Sequence, residues 1–281
     1  MNRRSLLTWE AIAVLAFGLL YWQVLRKLAF DWSHDENYSH GFLIVPMAFY
    51  FAWERRQALE NAVSRPSMSG LVVIIGSLAV LVAGTLGAEL FLMRISMIGL
   101  AAGITLFAFG WRHLRILGFP IAFLLLMIPI PTIVFNQIAF PLQLLASQFG
   151  EWALQLLSIP VLREGNVIIL ANTRLEVAEA CSGIRSLISL LTLGIVLGYF
   201  TDPRTSVRWL IALATVPVAI AANGVRVAGT GVAAHYVGAE AATGFLHTFS
   251  GWLMFVLASA VLIAIQRGTA WVFPPPAERL G

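Results

Sequence analysis

Cysteine is almost missing from this chain: there is one, Cys181, in 281 residues. A single thiol excludes an intramolecular disulfide and any cysteine-based metal cluster. Charge is scarce as well. Asp, Glu, Lys and Arg make up 11% of the residues, where a soluble domain carries about 25%. Internal repeats, low-complexity stretches and a second soluble domain are lacking too. What fills the chain is apolar: 59% of residues are hydrophobic and mean hydropathy is +0.84. The apolar runs are too long and too many for one globular core. The pI near 9.7 does not imply nucleic acid, because the basic residues stand in ones and twos between apolar runs and read as topology signals. Near the start, Asn2-Arg3-Arg4 precedes an apolar run over 11–25 with no small-x-small cleavage site ahead of Arg26-Lys27. That run reads as a retained first helix.

A membrane-spanning helix needs about 20 mostly apolar residues. Candidate spans fall at 9–25, 41–53, 69–88, 90–110, 116–130, 184–200, 209–228 and 248–266, the second and fifth being short. The expected fold class is an all-α polytopic membrane protein of about eight transmembrane helices, a single integral-membrane domain over 1–281. An even number of spans puts both termini on one side. With cytoplasmic termini, eleven of the eighteen Lys and Arg fall in short inner segments, among them Arg3, Arg55, Arg112, Arg204 and Arg267. The positive-inside rule asks for that arrangement. The outer loops then hold acids such as Asp35, Glu89, Glu164 and Glu240.

The stretch 132–180 reads as an outer-face insertion. Within 136–157, Gln143, Ser147, Glu151 and Gln155 recur every four residues among Leu, Ala, Phe and Trp. This spacing predicts an amphipathic helix lying in the interface or packed over the bundle. Two strand-like runs, 165–170 and 174–179, then flank an Asn-containing turn and predict a small β-hairpin that delivers the chain to Cys181.

Cys181 stands in Glu179-Ala-Cys-Ser-Gly-Ile-Arg185, where the hairpin gives way to the sixth span. At a helix amino terminus, unsatisfied N–H groups and the dipole favour thiolate. Arg185, four residues on, shares that helix face and favours it further. A buried structural cysteine is the competing reading. Arg226, in Asn223-Gly-Val-Arg226, lies in an apolar span, where an arginine costs a few kcal/mol and faces a partner or a wet cavity. The alternative is an arginine that snorkels to anchor a helix end. Asn223 is one turn earlier on the same face. His247, in Phe245-Leu-His-Thr-Phe-Ser-Gly251, begins the eighth span, as a structural or a catalytic histidine. The charge-derived topology brings all three to the outer face. A thiol, a histidine and a fixed cation form an acyl-transfer set, in which cysteine attacks a carbonyl, histidine moves protons and arginine stabilises thiolate or oxyanion. The histidines show no ligand spacing, so no metal is expected.

These motifs resemble the exosortase family of bacterial integral-membrane sorting transpeptidases. The matching pieces are Tyr38-Ser-His-Gly41, Val177-Ala-Glu-Ala-Cys-Ser-Gly-Ile-Arg-Ser-Leu187, Asn223-Gly-Val-Arg226, and His247 with Gly251. The resemblance implies Cys181 as nucleophile, Arg226 and His247 as the other catalytic residues, and Arg185, His40 and Asn223 as supporting or substrate-binding. It implies neither cofactor nor metal. The implied partners are exported proteins with a carboxy-terminal Pro-Glu-Pro-type tail, a membrane helix and a basic end, together with the lipid bilayer and no nucleic acid. Cleavage would occur at the periplasmic face of a bacterial inner membrane through a Cys thioester, followed by transfer to a glycan or lipid acceptor. Two alternatives stand beside it. One is a non-enzymatic subunit or transporter of exopolysaccharide export, with in-span charges such as Arg94 lining a pathway. The other is plain proteolysis, with water as acceptor.

Overall fold

The structure is a computed structural model that describes residues 3–171, 173–177, 183–238, 244–272 and 274, the side chains of 3–11 and 244–248 excepted. Helix dominates it because a lipid-embedded backbone must satisfy its own hydrogen bonds. The chain divides into two compact units, Met1–Pro131 and Thr132–Gly281.

The first unit contains α1 (Arg3–Leu20), α2 (Trp22–His34), α3 (Gly41–Glu54), α4 (Arg56–Glu60), α5 (Ser69–Leu86), α6 (Leu90–Phe109) and α7 (Trp111–Phe123). The second contains α8 (Thr132–Leu156), strands β1 (Val161–Glu164), β2 (Val167–Leu170) and β3 (Arg174–Glu176), then α9 (Ile184–Thr201), α10 (Thr205–Val237) and α11 (Gly244–Val272). Among the described residues five helices are long and apolar enough to cross a membrane: α5, α6, α9, α10 and the Phe249–Val272 part of α11. The number reaches seven if each of two bent helix pairs is one span. Large apolar side chains stand exposed along them, as with Leu86 at 84%, the surface a span shows to lipid. The protein is a polytopic, all-α membrane protein.

Two expected spans are broken. The run over 9–25 divides at Tyr21, and Ile12–Leu20 meets Trp22–His34 at 63°. The Tyr21 ring is fully buried and its hydroxyl pairs with Ser96 Oγ at 3.0 Å. Close by, Arg94 of α6 is 3% exposed and donates to Asp31 of α2. It is therefore a packed ion pair between helices.

The run over 116–130 stops being an α-helix at Phe123, passes through a 3-10 turn at Leu124–Met127 and is extended at Ile128 (φ −86°, ψ 119°). Ile128 and Ile130 each precede a proline, which disfavours the α conformation, and Pro129 and Pro131 lack an N–H. Side chains from 32–40 hold the irregular backbone. Trp32 Nε1 donates to Met127 O at 2.9 Å, His40 Nε2 donates to Leu126 O at 3.2 Å, and the Ile130 N–H donates to Tyr38 Oη at 3.2 Å.

In the second unit the sheet is antiparallel in the order β1-β2-β3. β2 and β3 fall on the two runs read from sequence, and β1 is an addition. It joins β2 through a two-residue turn whose first residue, Gly165, has φ +63°, the backbone such turns require. One face of the sheet packs Ile168, Leu170 and Leu175 with Leu154 of α8 and Val227 of α10. Three of the four residues of the polar stripe of α8 are covered, and Gln155 alone is exposed. Gln143 is 7% exposed and Ser147 0%, because the sheet lies over them. Ser147 Oγ donates to Gly165 O at 3.0 Å, Arg163 Nε donates to Glu151 Oε2 at 2.8 Å, and Asn166 Nδ2 donates to Gln143 Oε1 at 3.4 Å. The stripe is the seat of the sheet.

Candidate active site

Cys181 lies outside the described residues, as does the side chain of His247. What the structure describes is the frame on either side of each. Upstream of the cysteine, Val177 is fastened twice to one residue: its N–H donates to Asn166 O at 2.9 Å, and its carbonyl accepts from Asn166 Nδ2 at 3.2 Å. Val177 itself is buried. The β-sheet therefore fixes the chain four residues before Cys181.

Downstream, Gly183 precedes α9 in the left-handed conformation, φ +77°, which costs a non-glycine residue about 1–2 kcal/mol. It also sits hard against α10. A Cβ on Gly183 would lie 2.8 Å from Asn223 Cβ and Cγ and 3.0 Å from its Nδ2. Asn223 is 6% exposed and joins Leu142, Ala146, Gly183, Leu187, Ala219 and Ile220 around a shallow cleft of about 240 Å³, open water included. Arg185, in the first turn of α9, is half-buried.

Arg226 follows Asn223 by three positions on α10, hence on the same face. It is half-buried and its Nε donates to Ser250 Oγ of α11 at 3.4 Å. Its guanidinium covers Gly251, whose Cβ, if present, would meet Cζ and a terminal nitrogen at 3.2 Å. His247 precedes Ser250 by three positions in α11. One chain of contacts thus runs from Gly183 to Asn223, along one turn of α10 to Arg226, and across to Ser250 and Gly251.

Of the residues singled out from sequence, Asn223 and Arg226 sit in this frame, and Arg185 begins the helix that Gly183 opens. His40 does not; it belongs to the first unit, where its imidazole holds the Leu126 carbonyl. Sequence reasoning passed over Gln143 and Asn166 as fasteners of the Val177 segment. The Gly-Asn pair at 165–166 is a turn signal that would have pointed there. Among the described residues no three His, Cys, Asp or Glu side chains gather as metal ligands.

An all-α polytopic fold in which an Asn–Arg pair bridges three helices, with a sheet leading the chain toward the cysteine motif, defines a membrane protein with a polar frame around that motif. The family model for transmembrane exosortases matches residues 32–264. The chain belongs to that family, whose general role is membrane transpeptidation by cysteine. No curated protein and no solved structure matches it.

Proposed function

We propose that this exosortase cleaves Pro-Glu-Pro-type tails of exported proteins at the periplasmic face of a bacterial inner membrane and passes the cleaved protein to an acceptor. In this reading both termini are cytoplasmic. Taking each bent helix pair as one crossing and adding the short apolar α3 to the seven candidates yields eight crossings. A tail carrying its own membrane helix reaches the site by lateral diffusion, which turns a bimolecular encounter into a positioned one.

Cys181 is the nucleophile. Its thiolate attacks the scissile carbonyl carbon, the C–N bond breaks as the tetrahedral intermediate collapses to a thioester, and His247 gives the leaving amine its proton. Arg226 stabilises the thiolate and then the developing oxyanion. An acceptor hydroxyl or amine of a glycan or lipid component, or water, next attacks the thioester. It loses its proton to His247 and releases the Cys181 thiolate, which restores the starting thiolate–imidazolium pair. Asn223 and Arg185 are positioning residues around Gly183, and His40 supports the fold of the first unit.

The observation that carries this reading is the contact chain from Gly183 through Asn223 and Arg226 to Ser250 and Gly251. It joins the residue two positions after Cys181 to the helix that bears His247, with the arginine between. The test is to co-express a tailed substrate with the wild type and with Cys181→Ala. The wild type shortens the substrate on a gel and the variant leaves it full length; normal shortening by the variant overturns the assignment. Mass spectrometry of the new carboxy terminus then reads the cleavage position and the acceptor.

A further inference from the structure

The sheet ends in an open edge, and that edge runs into the cysteine motif. Among the described residues, in the order β1-β2-β3, the last strand pairs on one side only. The ladder shows which backbone groups that leaves over. Leu170 donates to Thr173 O at 2.8 Å and Val177 to Asn166 O at 2.9 Å, while Ile168 stands opposite Leu175. Antiparallel pairs alternate between hydrogen-bonded and non-bonded. Thr173, Leu175 and Val177 therefore turn their N–H and C=O toward β2, and Arg174 and Glu176 turn theirs outward. Among the described residues no hydrogen bond occupies those outward groups and no acid pairs with Arg174. Both residues are exposed, whereas Leu175 between them is buried. Cys181 follows Glu176 by five residues.

We propose that β3 receives the substrate tail as a fourth, antiparallel strand, with the glutamate between the two prolines set opposite Arg174. This rests on the tail-cleaving reading above and adds how the tail is held. A strand added to an edge bonds to its host through alternate residues, and the residues between turn their backbone away. Proline has no N–H, so it is tolerated only where that donor faces outward. A Pro-Glu-Pro segment meets this condition. The glutamate supplies both N–H and C=O to Arg174, and the prolines take the outward positions. Directly opposed residues share one face of the sheet at a Cα separation of about 5.5 Å, which brings the glutamate carboxylate to the exposed guanidinium of Arg174. Placing it opposite Glu176 instead would set like charges together.

The test measures binding apart from cleavage. Cys181→Ala protein in lipid nanodiscs is titrated with a fluorescent tail peptide containing Pro-Glu-Pro, followed by anisotropy. Methylating the backbone nitrogen of that glutamate removes the single N–H the pairing needs. Affinity is expected to fall about tenfold or more, since the Arg174 carbonyl is left without its donor. Glu176→Pro removes one outward donor while sparing the β2 ladder, and weakens binding in the same direction. Arg174→Glu also weakens it, with part of the loss recovered by a Pro-Lys-Pro peptide. Equal affinity for methylated and unmethylated peptides overturns the proposal, and that comparison uses one unaltered protein fold. Cleavage by the Cys181→Ala variant would instead sink the nucleophile assignment, leaving the strand pairing measurable.

Discussion

In both compact units side chains distant in sequence fasten the backbone, but to different ends. In the first, Trp32, Tyr38 and His40 hold the segment 126–130, and each of these bonds ends on a backbone N–H or C=O. Gly41 lets the Trp32 indole close over it, for a Cβ there would lie 2.2 Å from Nε1. In the second, Asn166 holds Val177 and Asn223 crowds Gly183, so the anchors border a segment that carries the cysteine. The neighbouring contact of Arg226 with Ser250 is side chain to side chain. Non-helical backbone at membrane depth is tolerated where protein covers it. The first unit uses that cover as a lock. The second, on the proposed reading, fastens the residues on either side of the cysteine motif.

The largest effect that would sharpen this contrast is expected from Gly183→Ala. A methyl group there meets both the left-handed backbone and the Asn223 side chain. A displacement of the nucleophile by about 1 Å is enough to cost on the order of 10²-fold in rate. Processing of a tailed substrate should fall by that much per folded molecule, well beyond what the lower thermal midpoint from a strained left-handed backbone accounts for. The reverse pattern, lost stability with activity kept per folded molecule, would make the second unit a lock as well.

Gly41→Ala supplies the counterpart. Its methyl group collides with a buried indole, and overpacking of this kind costs roughly 1–3 kcal/mol. The expected result is a lower thermal midpoint, with activity falling only as folded protein is lost. A strong drop in turnover at unchanged midpoint would break the comparison from the other side.

Membrane class was legible in the apolar runs, because hydrocarbon demands length and composition that no loop imitates. Of the candidate site, the shared helical face of Asn223 and Arg226 was legible from their spacing, whereas the roles read for Cys181 and His247 fall outside the described residues. The break at Tyr21 was not legible. Nothing local marks it within an apolar run, and the tertiary bond to Ser96 lies 75 positions away. The break at 124–131 had a local signal in Ile128-Pro-Ile-Pro131, which apolarity outweighed in the reading. The polar stripe of α8 was recognised as a face, but periodicity alone does not say what covers a face. Here it is a sheet containing a strand, β1, that the reading left out.

A smaller effect is expected from Asn166→Asp. The change keeps shape but replaces the amide donor with a carboxylate facing two acceptors, the Val177 carbonyl and Gln143 Oε1. Loss of such a bond is worth about 1 kcal/mol, more when an acceptor is left buried. Processing should fall several-fold, and alkylation of the only cysteine should change with it, since both read the same segment. If stability drops while the alkylation rate holds, Asn166 fastens the sheet alone and the framing role is lost.

The smallest expected effect concerns pH and belongs to the first unit. Burial pushes the His40 imidazole below its ordinary range, partly opposed by its bond to the Leu126 carbonyl. Between that lowered value and the unfolded one near 6.5, the unfolded chain binds more protons than the folded chain, so stability rises with pH across the window. The stabilisation is complete above the unfolded value and is lost as pH falls through the folded one. His40→Gln keeps an amide donor for Leu126 but cannot titrate. As pH falls from 7 through that window, the wild-type midpoint should drop further than that of the variant. Parallel curves would mean that acid acts elsewhere, and that the clamp on 126–130 is indifferent to the charge of its histidine.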